Sequence, residues 1–319
     1  MKIVILDSVS ANPGDLSWDF LKKYGDLVVY DRSLSEDLVI ERAKGADIAI
    51  INKTVITRRV VENLPDLKLI ALLATGYNVV DCEACKEHGV LVANVPSYSG
   101  FAVAQQTMAF VLYFANKIAM HTESVHRGEW VASADFSYFL EPPVELSGKT
   151  MGIIGYGNIG RRVANMAKAF EMRVLVNTAH PEKYPDADVT FCTLDEMLPA
   201  CDFVSLHVPQ TPETTKLVNA DFLSKMKDGA VLVNNARGGE IDEDAVALAL
   251  NAGKLAGFGA DVLSTEPPRA DNPILTAKNA VVTPHIAWAA TETRGRLMGI
   301  LEQNIAGFLA GKPQNIVNL

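Results

Sequence analysis

The chain reads as an α/β protein built from two doubly wound parallel-sheet domains, the second inserted into the first, and three observations carry that expectation. Strand-like and helix-like runs alternate along its length. A glycine-rich strand, turn and helix start, Met151-Gly152-Ile153-Ile154-Gly155-Tyr156-Gly157-Asn158-Ile159-Gly160, lies in the middle of the chain rather than at its beginning. A helix-like tail follows the last strand-like run and offers a way back to the first domain. The 319 residues, 49% of them hydrophobic, suffice for two cores of ordinary size.

The first set of short apolar runs covers Lys2 to Leu6, Leu27 to Tyr30, Asp47 to Ile51, Leu67 to Leu73 and Val90 to Val95, each followed by a helix-like stretch. Ala102 to Met120 is long, apolar-periodic and free of Gly and Pro, so it reads as one helix carrying the chain between domains. The second set begins at Met151 and continues through Arg173 to Val176, Phe203 to His207, Ala230 to Asn234, Gly257 to Val262 and Ala280 to Val282. The tail from Glu292 to Gly311 places Leu297, Ile300, Leu301, Ile305 and Leu309 at helical spacing. Residues 1–101 and 290–319 are therefore expected to form one domain and 102–289 the other, with a ligand in the cleft between them.

Composition narrows the function classes. A formal charge of -9, without clustered Lys and Arg, speaks against nucleic acid and for a small-molecule partner. Met1-Lys2 runs straight into a strand-like segment without a signal-peptide pattern, and no apolar run is long enough for a bilayer; a cytoplasmic protein with no membrane partner is expected. Of the four cysteines only Cys82 and Cys85 have ligand-like spacing, and one pair without a second cannot build a zinc site, so no metal is expected. They read instead as helix residues after an Asp81 cap. Trp130 to Glu141, with Phe136, Tyr138 and Phe139, is dense in aromatics for a connection and reads as a self-association surface, hence a homodimer, against the alternative that the rings cover the chain's own core.

The mid-chain glycines form a dinucleotide-binding fingerprint. Gly155 permits the tight turn, Gly157 lets the backbone approach a pyrophosphate, and Gly160 lets helix pack on strand with the helix N-terminus facing the anion. An Asp or Glu usually closes the second strand of such a unit and takes the ribose 2'-hydroxyl; here Thr178 stands at that position. Without that carboxylate a 2'-phosphate is not repelled, and without an Arg in the segment it is not specifically bound, so NAD is expected slightly ahead of NADP.

Three further segments each follow a strand-like run: Asn234-Asn235-Ala236-Arg237-Gly238-Gly239, Asp261-Val262-Leu263-Ser264-Thr265-Glu266-Pro267-Pro268 and Thr283-Pro284-His285-Ile286-Ala287-Trp288. Singly, Arg237 reads as a surface charge, Glu266 as a turn residue and His285 as a core histidine. Together with the fingerprint, and in this order, they resemble the D-2-hydroxyacid dehydrogenase family over nearly the whole chain. Leu73 to Asp81 is similar to the family's carboxylate-binding loop, and Val95 to Gly100 to its crossing into the hinge helix. Within the family, Asn52-Lys53-Thr54 and Ala71 to Asp81 are most similar to glycerate dehydrogenases, also called hydroxypyruvate reductases.

The resemblance implies hydride transfer to a 2-keto acid with Arg237, Glu266 and His285 as the catalytic set. Delivery of a proton to the carbonyl oxygen near neutral pH suits His285, with Glu266 orienting the ring and stabilising its imidazolium. Arg237 offers a planar fork for the substrate carboxylate, which Lys cannot reproduce. Substrate contacts are implied at Lys53, Thr75 and Gly76 besides Arg237 and His285, the glycine leaving its main chain open to close approach. Cofactor contacts are implied at Asn158, Ile159, His207, Pro209, Ala236 and Asp261, beside Gly155, Gly157, Gly160 and Thr178. Hydroxypyruvate, or glyoxylate, is the expected keto acid. Two alternatives stay open: a formate dehydrogenase, whose pattern has Gln where Glu266 stands here, and a nucleotide-sensing, corepressor-like binding protein of the same fold.

Overall fold

Short apolar runs become central strands where both faces of a sheet are covered. The computed structural model describes residues Met1–Leu319 and divides into two compact units, Met1–Ser99 with Trp288–Leu319, and Gly100–Ala287. The first holds β1 (Lys2–Ile5), β2 (Asp26–Val29), β3 (Ile48–Ile51), β4 (Leu69–Leu72) and β5 (Leu91–Ala93), all parallel, in the order β2-β1-β3-β4-β5. β3 and β4 are buried at every position, which is why their sequences are continuously apolar rather than alternating. The helices between them start on side-chain caps. Ser35 accepts the Leu38 N–H at α1 (Glu36–Ala43), Thr57 that of Val60 at α2 (Arg58–Glu62), and Asp81 that of Ala84 at α3 (Cys82–Glu87). Cys85, on α3, is buried, and burial pushes its thiol up to about 12.

The second unit opens with α4 (Gly100–Asn116) and α5 (Ile118–His126). This corrects the single helix expected from Ala102 to Met120: Lys117 takes a left-handed backbone, φ 50°, and pairs with Glu141 at 2.5 Å. Neither Gly nor Pro marks the break, so nothing in local composition announced it. Then follow β6 (Thr150–Ile154), α6 (Asn158–Ala169), β7 (Arg173–Asn177), β8 (Thr190–Phe191), α7 (Leu194–Met197), β9 (Phe203–Leu206), α8 (Ala220–Lys225), β10 (Ala230–Asn234), α9 (Glu243–Asn251), β11 (Leu255–Ala260) and β12 (Ala280–Val282). The parallel strands lie in the order β12-β11-β10-β9-β6-β7-β8. The chain winds outward from β6 through β7 and β8, then crosses to β9 on the other side, so the switch point lies between β6 and β9. Gly257 and Gly259 of β11 let α4 press on the sheet: a Cβ there would lie 2.3 Å from the Phe114 ring and 2.6 Å from that of Phe110.

The tail forms α10 (Thr291–Leu309) and belongs to the first unit. Leu297, Leu301 and Ile305 pack with Ile3, Ile5 and Leu69 in one core, as the helical spacing of the tail expects. Arg294, 7% exposed, donates to both carboxylate oxygens of Asp15 at 2.6 Å and holds that carboxyl down to about 2. Beyond the helix, Ile316 bridges Ala93 antiparallel, and Asn318 bonds both Val92 N and Val90 O. No helix is long and apolar enough to cross a membrane.

Candidate active site

Register builds the site. In the second unit the ends of six neighbouring strands stand in one row, Asn177, Ile154, Leu206, Asn234, Ala260 and Val282. The next residues are Thr178, Gly155, His207, Asn235, Asp261 and Thr283, and all leave the same carboxyl edge of the sheet. Segments spread along the chain from Gly155 to Thr283 thus leave one edge of the sheet.

At the switch point, Gly155 has φ 94°, and a Cβ on it would lie 2.5 Å from the His207 carbonyl oxygen. On Gly160 a Cβ would meet the Gly155 carbonyl oxygen at 2.1 Å, so the turn and the helix approach too closely for any side chain. Gly157, which caps α6, faces open space within 4 Å. The first-turn N–H groups of α6, from Asn158, Ile159 and Gly160, have no partners within the helix and carry its positive dipole end. His207 Nε2 lies 2.9 Å from Ser205 Oγ, while Nδ1 is buried without a partner. Burial lowers the imidazole to about 3 and keeps it neutral at physiological pH. Asn235 Oδ1 is likewise buried and unpartnered. Open space at a glycine, an unsatisfied helix start and the orphaned His207 Nδ1 at one switch point fit a dinucleotide. Thr178 is half-buried at the end of β7, and the nearest downstream charges, His180 and Glu182, pair with each other at 3.1 Å. Pro209 is exposed, its carbonyl accepting the Thr214 hydroxyl at 2.8 Å.

The three candidate catalytic side chains leave adjacent strands. Arg237 follows β10 and is exposed; its turn is shaped by Asn234, whose Oδ1 accepts the Ala236 N–H at 2.9 Å while Nδ2 donates to the Arg237 carbonyl at 2.8 Å. Gly238 then lets this turn reach the Leu263 main chain, where a Cβ would lie 1.9 Å from the Leu263 carbonyl carbon. That contact joins the Arg237 turn to the loop after β11 carrying Glu266. Glu266 accepts the Leu263 N–H at 3.1 Å on Oε1, and Oε2 lies 2.6 Å from His285 Nδ1. His285 follows β12 with φ 55°, a left-handed backbone for a residue other than glycine. Asp261 holds that turn: its carboxylate accepts the Thr283 hydroxyl at 2.5 Å and the N–H groups of Ile286 and Ala287 at 2.8 and 2.7 Å.

In the first unit, Lys53 follows β3 and is exposed, in a loop whose N–H groups are gripped by Asp7. Thr75 and Gly76 follow β4. The Thr75 hydroxyl donates to the Val95 carbonyl at 2.8 Å and Asn94 Nδ2 to the Thr75 carbonyl at 2.8 Å, fixing the loop. The backbone N–H groups of Thr75 and Gly76 donate to no protein acceptor. The sequence marks no role for Asp7 or Asn234. A strand-terminal Asp or Asn before a loop was their only signal, and their partners are backbone groups that side-chain types do not reveal.

The chain is similar to known proteins over its whole length. Residues 108–287 match the family model described as D-isomer specific 2-hydroxyacid dehydrogenase, NAD binding domain. A hydroxypyruvate reductase from Blautia hydrogenotrophica is 44% identical over 321 residues, covering 100% of both chains. A glycerate dehydrogenase from Methylorubrum extorquens is 38% identical and covers 99% of this chain and 98% of its own. Among solved structures, an acyclic imino acid reductase in complex with NADPH and D-Arg superposes with a TM-score of 0.84 at 33% identity, covering 99% of this chain and 100% of the other.

Proposed function

The chain belongs to the D-isomer specific 2-hydroxyacid dehydrogenase family, and from that premise we propose that it reduces hydroxypyruvate, or glyoxylate, to D-glycerate or glycolate. It is an oxidoreductase acting on the CH–OH group of a 2-hydroxy acid, with NAD or NADP as cofactor. The observation that carries the chemical reading is the 2.6 Å contact of His285 Nδ1 with Glu266 Oε2 at the carboxyl edge of the second sheet.

When bound, the nicotinamide supplies hydride to the carbonyl carbon. His285 supplies the proton that the carbonyl oxygen takes up; with Nδ1 committed to Glu266, the exchange falls to Nε2. Glu266, itself anchored by the Leu263 N–H, orients the ring and balances its positive charge before the proton leaves. In the oxidative direction His285 takes the hydroxyl proton instead. Arg237 grips the substrate carboxylate and polarises the carbonyl; Lys53 and the Thr75 and Gly76 N–H groups are the substrate donors that the family likeness implies in the first unit. Asn158, Ile159 and the three glycines would hold the pyrophosphate, with Thr178 toward the ribose and His207, Pro209, Ala236 and Asp261 toward the remaining cofactor contacts.

NAD is favoured slightly over NADP, because no Arg accompanies Thr178; titrating both reduced cofactors decides it. Self-association as a homodimer is supported by the aromatic connection, where Phe136 is 91% and Phe139 67% exposed, and by an apolar groove lined by Leu112, Tyr113 and Ile118. The test of the whole reading follows nicotinamide absorbance with hydroxypyruvate, glyoxylate, pyruvate and formate offered in turn. Oxidation of NADH or NADPH with hydroxypyruvate is the expected result. Silence with all four favours a nucleotide-sensing binding protein.

A further inference from the structure

A buried carboxylate must be neutralised or surrounded by donors, because transfer of its charge out of water is otherwise prohibitive. Asp7 follows β1 and is 5% exposed. Its partners are three consecutive backbone N–H groups across the sheet edge: Oδ1 accepts from Asn52 at 2.9 Å, and Oδ2 from Lys53 at 2.5 Å and Thr54 at 2.8 Å. Successive N–H groups converging on one anion form a nest, here filled by the protein's own side chain. The other side of the loop is locked as well, with Asn52 Nδ2 donating to the Ser10 carbonyl at 3.1 Å and the Ser10 hydroxyl to the Asp7 carbonyl at 2.6 Å. Lys53 is the exposed member of the tripeptide, between buried Asn52 and Thr54, and its ammonium makes no ion pair.

We infer that Asp7 is a positioning residue: it fixes the main chain of Lys53 so that the ammonium is presented, already oriented, to the carboxylate of the substrate. The inference rests on the proposed role of Lys53 in substrate binding and extends it to the group that sets its geometry. The three N–H groups lie in the loop beyond β3 and are not part of its ladder, so without the carboxylate nothing in the sheet would hold them. Charge-assisted bonds are stronger than neutral ones, and a loop held by three of them loses little freedom when the substrate arrives. An Asn at position 7 keeps one acceptor oxygen but turns an NH2 group toward backbone donors, so at least one contact becomes donor against donor.

The experiment is a double-mutant cycle on the holoenzyme with hydroxypyruvate at saturating reduced cofactor. Asp7→Asn and Lys53→Met should each raise KM for hydroxypyruvate about tenfold, with kcat within about threefold and cofactor Kd unchanged, and the double variant should match Lys53→Met alone. Multiplication of the two effects to about a hundredfold, or an Asp7→Asn enzyme with normal KM, overturns the inference. Should Asp7→Asn not fold, Asp7→Glu keeps the charge on a longer arm that displaces the loop; a raised KM supports positioning and a normal one overturns it. A normal KM in Lys53→Met removes Lys53 from the substrate site and so fails the functional reading at that residue. If the wild-type protein turns over no keto acid, calorimetric binding of hydroxypyruvate to the cofactor complex is compared across the same variants, and equal affinities overturn the inference.

Discussion

The two units end their parallel strands at a carboxyl edge in the same way, yet they treat buried polar groups there differently. In the first unit Asp7 satisfies three N–H groups, Arg294 meets both oxygens of Asp15, and Asn304 donates to the Asn94 carbonyl. In the second, His207 Nδ1, Asn235 Oδ1 and both oxygens of Glu240 are buried without partners; the first unit leaves only Thr54 Oγ1 so. Each orphaned group costs about 1–3 kcal/mol, and a fold keeps such a cost where it serves something other than stability. Two of the three orphan-bearing side chains lie at the carboxyl edge, His207 directly after β9 beside the glycine turn and Asn235 directly after β10. The first unit meets the buried polar groups at its edge with its own side chains; the second leaves several of its own without protein partners.

The largest expected effect tests whether chemistry belongs to the second unit alone. His285→Ala should lower kcat by about a thousandfold, as removal of a general acid does, with cofactor affinity by fluorescence titration unchanged. The Lys53→Met enzyme should show a raised KM instead, and a fall in its kcat comparable to that of His285→Ala would break the contrast. Next comes Glu266→Gln, which keeps a carbonyl oxygen near His285 but removes the charge; a loss of about tenfold to a hundredfold in kcat is expected in stopped-flow turnover, and none would sink the proposed pairing.

A glycine in each unit sharpens the same contrast. Gly160→Ala forces a Cβ against the Gly155 carbonyl, so a drop in Tm together with about a tenfold weaker cofactor Kd is expected. Gly89→Ala, at φ 72° with nothing within 4 Å, should cost only the left-handed strain of about 1–2 kcal/mol and leave Kd alone. Equal effects on Kd would mean that the glycine turn is not where the nucleotide lies.

The smallest effects come from pH, and their signs are opposite. Burial raises Glu240 to about 7 from an ordinary value of 4.5, so the stability it permits is full below 4.5 and is lost as pH rises through 7. Glu240→Gln should therefore melt a few degrees above wild type at pH 8 and approach it only at low pH. His207 is lowered to about 3, so its contribution is full above 6.5 and is lost as pH falls from there toward 3. His207→Asn should flatten the melting curve of the cofactor-free protein over that acid window; an unchanged slope would mean that the imidazole is not buried in the native state.

Much of this fold was legible because its rules are local. Ala230–Asn234 and Ala280–Val282 end where their apolar, β-branched runs end, and Asp81 caps α3 as its place before a helical run suggests. The two-residue β8 is invisible in the sequence, since two residues show no period, and the break at Lys117 is equally so because a lysine in the left-handed region leaves no compositional mark. Arg237, Glu266 and His285 stood out through their segments. What holds them did not. Asn234 shapes the Arg237 turn, Gly238 brings it to Leu263, and Asp261 accepts the Thr283 hydroxyl before His285 and the Ile286 and Ala287 N–H groups after it, contacts that an amino-acid type does not announce.

The alternation of strands and helices, the caps, the glycine turn and the helical face of the tail all follow from periodicity and backbone preference within a few residues, and they could be read in order along the chain. The single row of strand ends, the meeting of His285 with Glu266 and the nest around Asp7 could not. Those depend on register and on the order of strands in the sheet, which are settled when many side chains pack at once. A carboxylate that bonds main-chain groups forty-five positions away is chosen by that packing, and main-chain groups look alike in every sequence.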